Sequence, residues 1–289
     1  MSSKAFTIAL EDNASDIPAN KGWNLVGNPW QAYYNIHKLN YTAPISVWNG
    51  KTYEAYSLAD DDYAIRPNEA FFVQSPGGTS IEFPIDGRQL TDQIDSQNAA
   101  RTRSQSARQL IDIEISSNVE QADKTRLVLN PDASTNYEIS RDAGKLMSMD
   151  ANIPQIYSLG LDGEKYAINE RPTDNGQLGL GIYIGKAGSY TISATRNSIG
   201  QVLLKDHETG IITDLSLKNY SFNAETGTNE SRLTIFFGSS STGISTISQK
   251  KADTVETYTL DGRKVTGGNL KPGVYVVCKG QQTKKVIIK

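Results

Sequence analysis

Two histidines, His37 and His207, and one cysteine, Cys278, are the side chains in this 289-residue chain best suited to proton transfer or nucleophilic attack. A nucleophile needs a base beside it. No serine lies in a GxSxG setting, and no histidine is near Cys278 in sequence. The HExxH, P-loop and dinucleotide fingerprints are absent. Gly176-Gln177-Leu178-Gly179-Leu180-Gly181 is glycine-rich, but it sits in a strand-like run with no helix after it, so its glycines read as β-turn residues. A lone cysteine forms neither an intrachain disulfide nor a cysteine metal cluster; Cys278 alternates with Val274 and Val276 and reads as a small apolar side chain. The expectation is therefore no catalytic residue, no cofactor and no enzyme.

Two further constellations carry candidate chemistry. Asp60-Asp61-Asp62 is a run of hard oxygen donors of the kind Ca²⁺ prefers, but without the spaced pattern of a calcium loop. Its simpler reading is a solvated loop, and no metal site is assigned. Paired carboxylates hydrolyse glycosides when roughly 5–9 Å apart across a cleft, which adjacency in sequence does not provide. The aromatics Trp30, Tyr33, Tyr34, Tyr41, Trp48, Tyr53 and Tyr56 are dense in the first third of the chain. Exposed rings stack on sugars. Trp48 and Tyr53 read as a cross-strand pair; Trp30, Tyr33 and Tyr34 follow a proline break and are the candidate glycan contacts.

The elements that must position these residues are strands. Phe6, Ile8 and Leu10 alternate, as do Trp23, Leu25 and Gly27 before the Asn28-Pro29 break. Ile45–Trp48 and Thr52–Tyr56 flank Asn49-Gly50, a type I′ hairpin signal. Residues 70–74 and 80–83 are strands on either side of Pro76-Gly77-Gly78. Residues 91–108 have little to bury and read as a linker, with Arg101, Arg103 and Arg108 solvated. Ile111, Ile113 and Ile115 then open a series of short alternating runs to residue 237, spaced by about ten residues, as in a sandwich or jelly roll. A Ser/Thr/Gly-rich stretch, 239–254, leads to three apolar runs in 255–289 separated by Asp261-Gly262, Pro272-Gly273 and Lys279-Gly280.

The reading is all-β: two β-sandwich (jelly-roll or Ig-like) domains, 1–90 and 109–238, with linkers 91–108 and 239–254 and a small C-terminal β-module, 255–289. From 244 to 289 there are nine Lys/Arg against three Asp/Glu, while the rest of the chain has twenty against twenty-nine. The lysines lie at turns and strand ends, where they guard sheet edges, so no nucleic-acid partner is inferred. No apolar run of about 18 residues predicts a membrane span. The first residues lack the basic and apolar regions of a signal peptide.

The tail resembles a known family. Tyr258-Thr259-Leu260-Asp261-Gly262-Arg263-Lys264-Val265, Leu270-Lys271-Pro272-Gly273-Val274-Tyr275-Val276-Val277 and Lys284-Lys285-Val286-Ile287-Ile288-Lys289 are similar, in order and spacing, to the C-terminal sorting domain of type IX (Por) secretion cargo. GWNLVGNPW with the VWNGKTYEAY hairpin and PNEAFF is similar to a β-domain repeated in large surface proteins with that tail, and Ala187–Ile192 and Leu204–Gly210 to the sandwich that often precedes it. The resemblance implies the C-terminal portion of a longer, exported protein at the outer surface of a Gram-negative bacterium, engaging the secretion machinery through its tail. The function implied is adhesion or scaffolding, with a glycan or surface protein as ligand. The alternative is a carbohydrate-binding region serving an extracellular glycan-processing protein.

Overall fold

The computed structural model describes residues 4–75, 80–94, 108–118, 121–161, 163–173 and 176–238, and the strands within 255–288. It is all-β. The first part holds β1 (Phe6–Ala9), β2 (Trp23–Gly27), β3 (Tyr33–Asn35), β4 (Ile45–Trp48), β5 (Tyr53–Tyr56), β6 (Ala64–Ile65), β7 (Ala70–Gln74), β8 (Ser80–Phe83) and β9 (Arg88–Gln89). The second holds β10 (Gln109–Ser117), β11 (Ala122–Leu129), β12 (Ala143–Gly144), β13 (Gln155–Leu159), β14 (Lys165–Arg171), β15 (Gln177–Ile184), β16 (Gly188–Asn197), β17 (Val202–Asp206), β18 (Ile212–Asp214), β19 (Tyr220–Ala224) and β20 (Gly227–Phe237). The tail has β21 (Val255–Thr259), β22 (Gly273–Lys279) and β23 (Gln282–Ile288). By contacts the chain divides into two compact units, Met1–Ser241 and Thr242–Lys289.

In the first part three small sheets, β1-β8, β2-β7-β4-β5 and β6-β3-β9, enclose one core. Val26, Tyr34, Ile36, Ile45, Phe71, Val73, Ile81 and Phe83 are all nearly or fully buried there. The strands on either side of residues 76–79 do not pair with each other: β7 lies between β2 and β4, and β8 pairs with β1. Residues 76–79 themselves lie outside the described residues.

The hairpin β4-β5 forms where the Asn-Gly signal placed it, one residue out of phase. Asn49 N–H donates to the Thr52 carbonyl at 3.0 Å, so the central residues are Gly50 and Lys51. Gly50 takes the positive φ of 97°. Asn49 instead caps the turn, its side-chain oxygen accepting from the N–H groups of Lys51 and Thr52. Trp48 and Tyr53 face each other across the strands with ring centroids 4.9 Å apart, as their alternation predicts.

The second part is one large sheet in the order β18-β17-β20-β15-β13-β14-β11-β10-β16-β19, with β12 added on β14. Pairing is antiparallel except between β11 and β14. Alternation curls this sheet round one core. Ile111, Ile113 and Ile115 from β10, Leu178, Leu180, Ile182 and Ile184 from β15, Phe222 from β19 and Leu204 from β17 all enter one buried cluster. Strands near opposite ends of the sheet thus bury the same core, which leaves the sheet nearly closed.

The outer face of β10, β11 and β14 is buried as well. Leu110, Val128, Ala167 and Ile168 pack with Ala55 of β5. The first part of the chain covers this face. In the tail, β21 pairs with β22 and β22 with β23, both antiparallel. Its connecting turns, 260–272 and 280–281, lie outside the described residues, as do Arg101 and Arg103.

Candidate functional site

The sequence places Asp112 on the face of β10 opposite Ile111 and Ile113. Register then sets Asp112 directly across from Arg126 on β11 and from Arg196 on β16. Arg126 grips Asp112 through two bonds, Nε to Oδ1 at 2.6 Å and Nη2 to Oδ2 at 2.9 Å. Its third nitrogen, Nη1, reaches Asp61 at 2.5 Å. Arg196 bonds the other oxygen of Asp61 at 3.1 Å and the Asp60 carbonyl at 3.0 Å.

Arg108 extends the array. It holds Asp60 by two bonds, at 2.7 and 3.0 Å, and Glu170 at 2.5 Å. Glu170 also accepts from Asn130 at 2.6 Å and Arg141 at 3.2 Å. The side chains of Arg108, Arg126, Asp60, Asp112 and Glu170 are each under 9% exposed. The chain thus contains a lattice of alternating charge, buried at its centre, beneath the β5-β6 loop. In such a place the planar guanidinium, with its fork of donors, satisfies carboxylates that a single ammonium would not.

This corrects two readings. Asp60 and Asp61 do not occupy a solvated loop, and Arg108 is not a solvated linker charge. Their carboxylates are fully engaged with guanidinium groups, and Asp62 bonds His37 Nε2 at 2.8 Å. A cation would have to displace these arginines from Asp60 and Asp61. Among the described residues no group of three or more His, Cys, Asp or Glu is arranged to hold a metal ion.

His37 has Asp62 on one ring nitrogen and the Leu58 carbonyl on the other, at 3.0 Å. A base needs a free nitrogen toward its nucleophile, and here both are taken. His207 bonds Thr234 Oγ1 at 3.0 Å.

Asp142 sits just behind the lattice. Main-chain N–H groups of Glu138 and Glu170 donate to its two oxygens at 2.7 and 2.8 Å. Burial, aided by the carboxylates of Glu170 and Glu138, outweighs those donors and pushes Asp142 up to about 8. The folded state therefore holds a proton that the unfolded chain releases near pH 4. The stability contributed by this group is full below about pH 4 and is lost as the pH rises through about 8. Asp142→Asn removes that dependence. Between about pH 5 and about pH 9 the melting temperature of the wild type should fall relative to the variant. A constant gap between the two would contradict the assignment.

The three candidate glycan contacts separate. Tyr34 is wholly buried, its hydroxyl donating to the Pro84 carbonyl at 2.9 Å, so its ring face is part of the core. Tyr33 is half-buried on β3. Trp30 is 7% exposed and lines a cavity of about 700 Å³ with Phe6, Ile85, Arg88 and Leu90. Phe6 meets the Trp30 ring edge-on at 4.7 Å, and the Arg88 guanidinium lies 4.5 Å from its centroid. Sequence reasoning found Trp30 but not Arg88, because β9 is two residues long and carries no periodicity.

A nearly closed sheet whose outer face is clamped by a smaller β-assembly through buried ion pairs defines the class: an all-β protein with an ionic seam. Within that class the chain belongs to the family described as a domain of unknown function (DUF8693), whose model matches residues 23–237. The match runs through β2, the seam and β20. No curated protein matches the chain. No solved structure matches it.

Proposed function

We propose that the chain is a non-catalytic scaffold or adhesion segment of a secreted or cell-surface bacterial protein. In this reading 1–90 and 109–238 are two sandwich modules welded face to face, and 255–289 is a sorting module of the type IX kind. The observation that carries the reading is the seam. The Asp60 and Asp61 carboxylates, which the sequence offered as calcium donors, are committed to arginines that hold β-layers together. Side chains locked in mutual ion pairs favour rigidity over turnover. The tail's likeness to sorting domains supplies the address, and its three antiparallel strands suit a small β-module. A carbohydrate-binding role draws its support from the Trp30 cavity alone, since Tyr34 is committed to the core.

The test uses a reporter fused to residues 244–289 behind a Sec signal in a host with type IX secretion. Surface delivery is the expected result, lost when 282–289 are removed. Retention of the intact fusion in the periplasm would contradict the sorting role.

A further inference from the structure

We infer that the Trp30 cavity is a binding site for an organic carboxylate with a flat apolar body. This goes beyond the scaffold reading and stands whether or not the tail sorts. Three observations bear on it. The first is the lining: Phe6, Pro29, Trp30, Ala32, Ile85 and Leu90 give an apolar wall. Leu90 is 96% and Phe6 39% exposed at that wall, so large apolar side chains border water. At about 700 Å³ the space is of small-molecule size.

The second is Arg88. Among the described residues Arg66, Arg108, Arg126, Arg141, Arg196 and Arg232 each meet a carboxylate. Arg88 meets none, although it is half-buried. Its guanidinium is nonetheless fixed in place. Its carbon lies over the Trp30 ring, 4.5 Å from the centroid, and Nε donates to the Ile85 carbonyl at 3.1 Å. That arrangement leaves the two terminal nitrogens without a counter-ion on the cavity lining. A guanidinium held over an indole can present a two-pronged donor edge that fits a carboxylate.

The third is Trp30 itself. Its indole Nε1–H is buried and has no acceptor among the described residues. That unpaired indole makes the Trp30 signal a sensitive reporter of changes around the ring. An apolar wall and a pinned cation select an anion with one flat hydrophobic face. They select against a neutral sugar, which needs many polar partners at once.

The probe is 2-naphthoate, with uncharged 2-naphthamide as its shape match. The chain has three tryptophans, so ¹⁵N spectra of the full chain give three indole signals, and Trp30→Phe assigns one of them. We expect 2-naphthoate to shift the Trp30 signal saturably, with half-saturation below about 1 mM. The amide should bind at least about tenfold more weakly. Arg88→Gln, checked to be folded by the same spectrum, should bind acid and amide alike, and Arg88→Lys should keep part of the preference. Equal binding of acid and amide to the wild type would overturn the proposal. So would saturable shifts confined to Trp23 or Trp48, or no saturable shift at all. A neutral oligosaccharide that shifts Trp30 where naphthoate does not would assign the cavity to glycans instead.

Discussion

Arg126→Met lowers the stability of the 1–241 unit by about 3–5 kcal/mol, a drop in melting temperature on the order of 10 °C. The side chain is 4% exposed and bonds two carboxylates, Asp112 and Asp61, which are 7% and 12% exposed. Methionine fills the volume of the aliphatic stem but leaves the buried Asp112 without its two guanidinium bonds. An uncompensated buried charge is costlier than the pair was beneficial. Asp61→Asn should cost less, because Arg126 then keeps its two bonds to Asp112. The two effects should not add, since both variants break the same Arg126–Asp61 bond. Raising salt should change little, because the pair is shielded from mobile ions. A loss from Arg126→Met below about 1 kcal/mol is the outcome for a solvated surface pair, and would mean that the β5-β6 loop does not dock on the large sheet.

Phe71→Ala is expected to cost about as much, 3–5 kcal/mol, by a different route. Phe71 is fully buried at the centre of the first core. It lies between Val26 of β2 and Val47 of β4 in register, and its ring meets Phe83 at 6.3 Å. Strands on both sides are held by ladder hydrogen bonds, so the space cannot collapse and a cavity remains. This substitution lies far in sequence from the closed sheet. The seam nevertheless transmits its effect: unfolding of the first part strips Asp60, Asp61 and Ala55 from β10, β11 and β14. Circular dichroism dominated by the large sheet should therefore lose its transition at the same lowered temperature. An unchanged transition for the large sheet would show that the two parts melt independently.

Most strands of the nearly closed sheet were legible, several of them because they keep a period of two. Ile111, Ile113 and Ile115, or Val202 and Leu204, announce both a strand and its buried face. What alternation cannot announce is a second burial. Asp112 and Arg126 look like the solvated face of an ordinary sandwich, and become interior only because a segment some fifty residues upstream lies over them. Asp60 and Arg108, or Asp61 and Arg196, are partners through tertiary closure, with no local rule linking them. The two-residue strands β6, β9 and β12, and β3 after the Pro29 break, left no signal, whereas the equally short β18 was marked by the apolar residues around it. The Asn49-Gly50 turn shows the reverse limit. Its dipeptide located the hairpin, but the side chain of Asn49 moved the turn by one residue. Trp30 was found by composition, and Arg88, which gives its cavity a charge, only by the fold.

All three tryptophans, Trp23, Trp30 and Trp48, lie in the first part of the chain, and the longest strands lie in the second. Denaturant unfolding followed at once by tryptophan fluorescence and by far-ultraviolet circular dichroism therefore reads the two sides of the ionic seam separately. Coincident transitions, moved together by Arg126→Met, are what the seam requires. A fluorescence transition completed while the sheet signal stays native would contradict it.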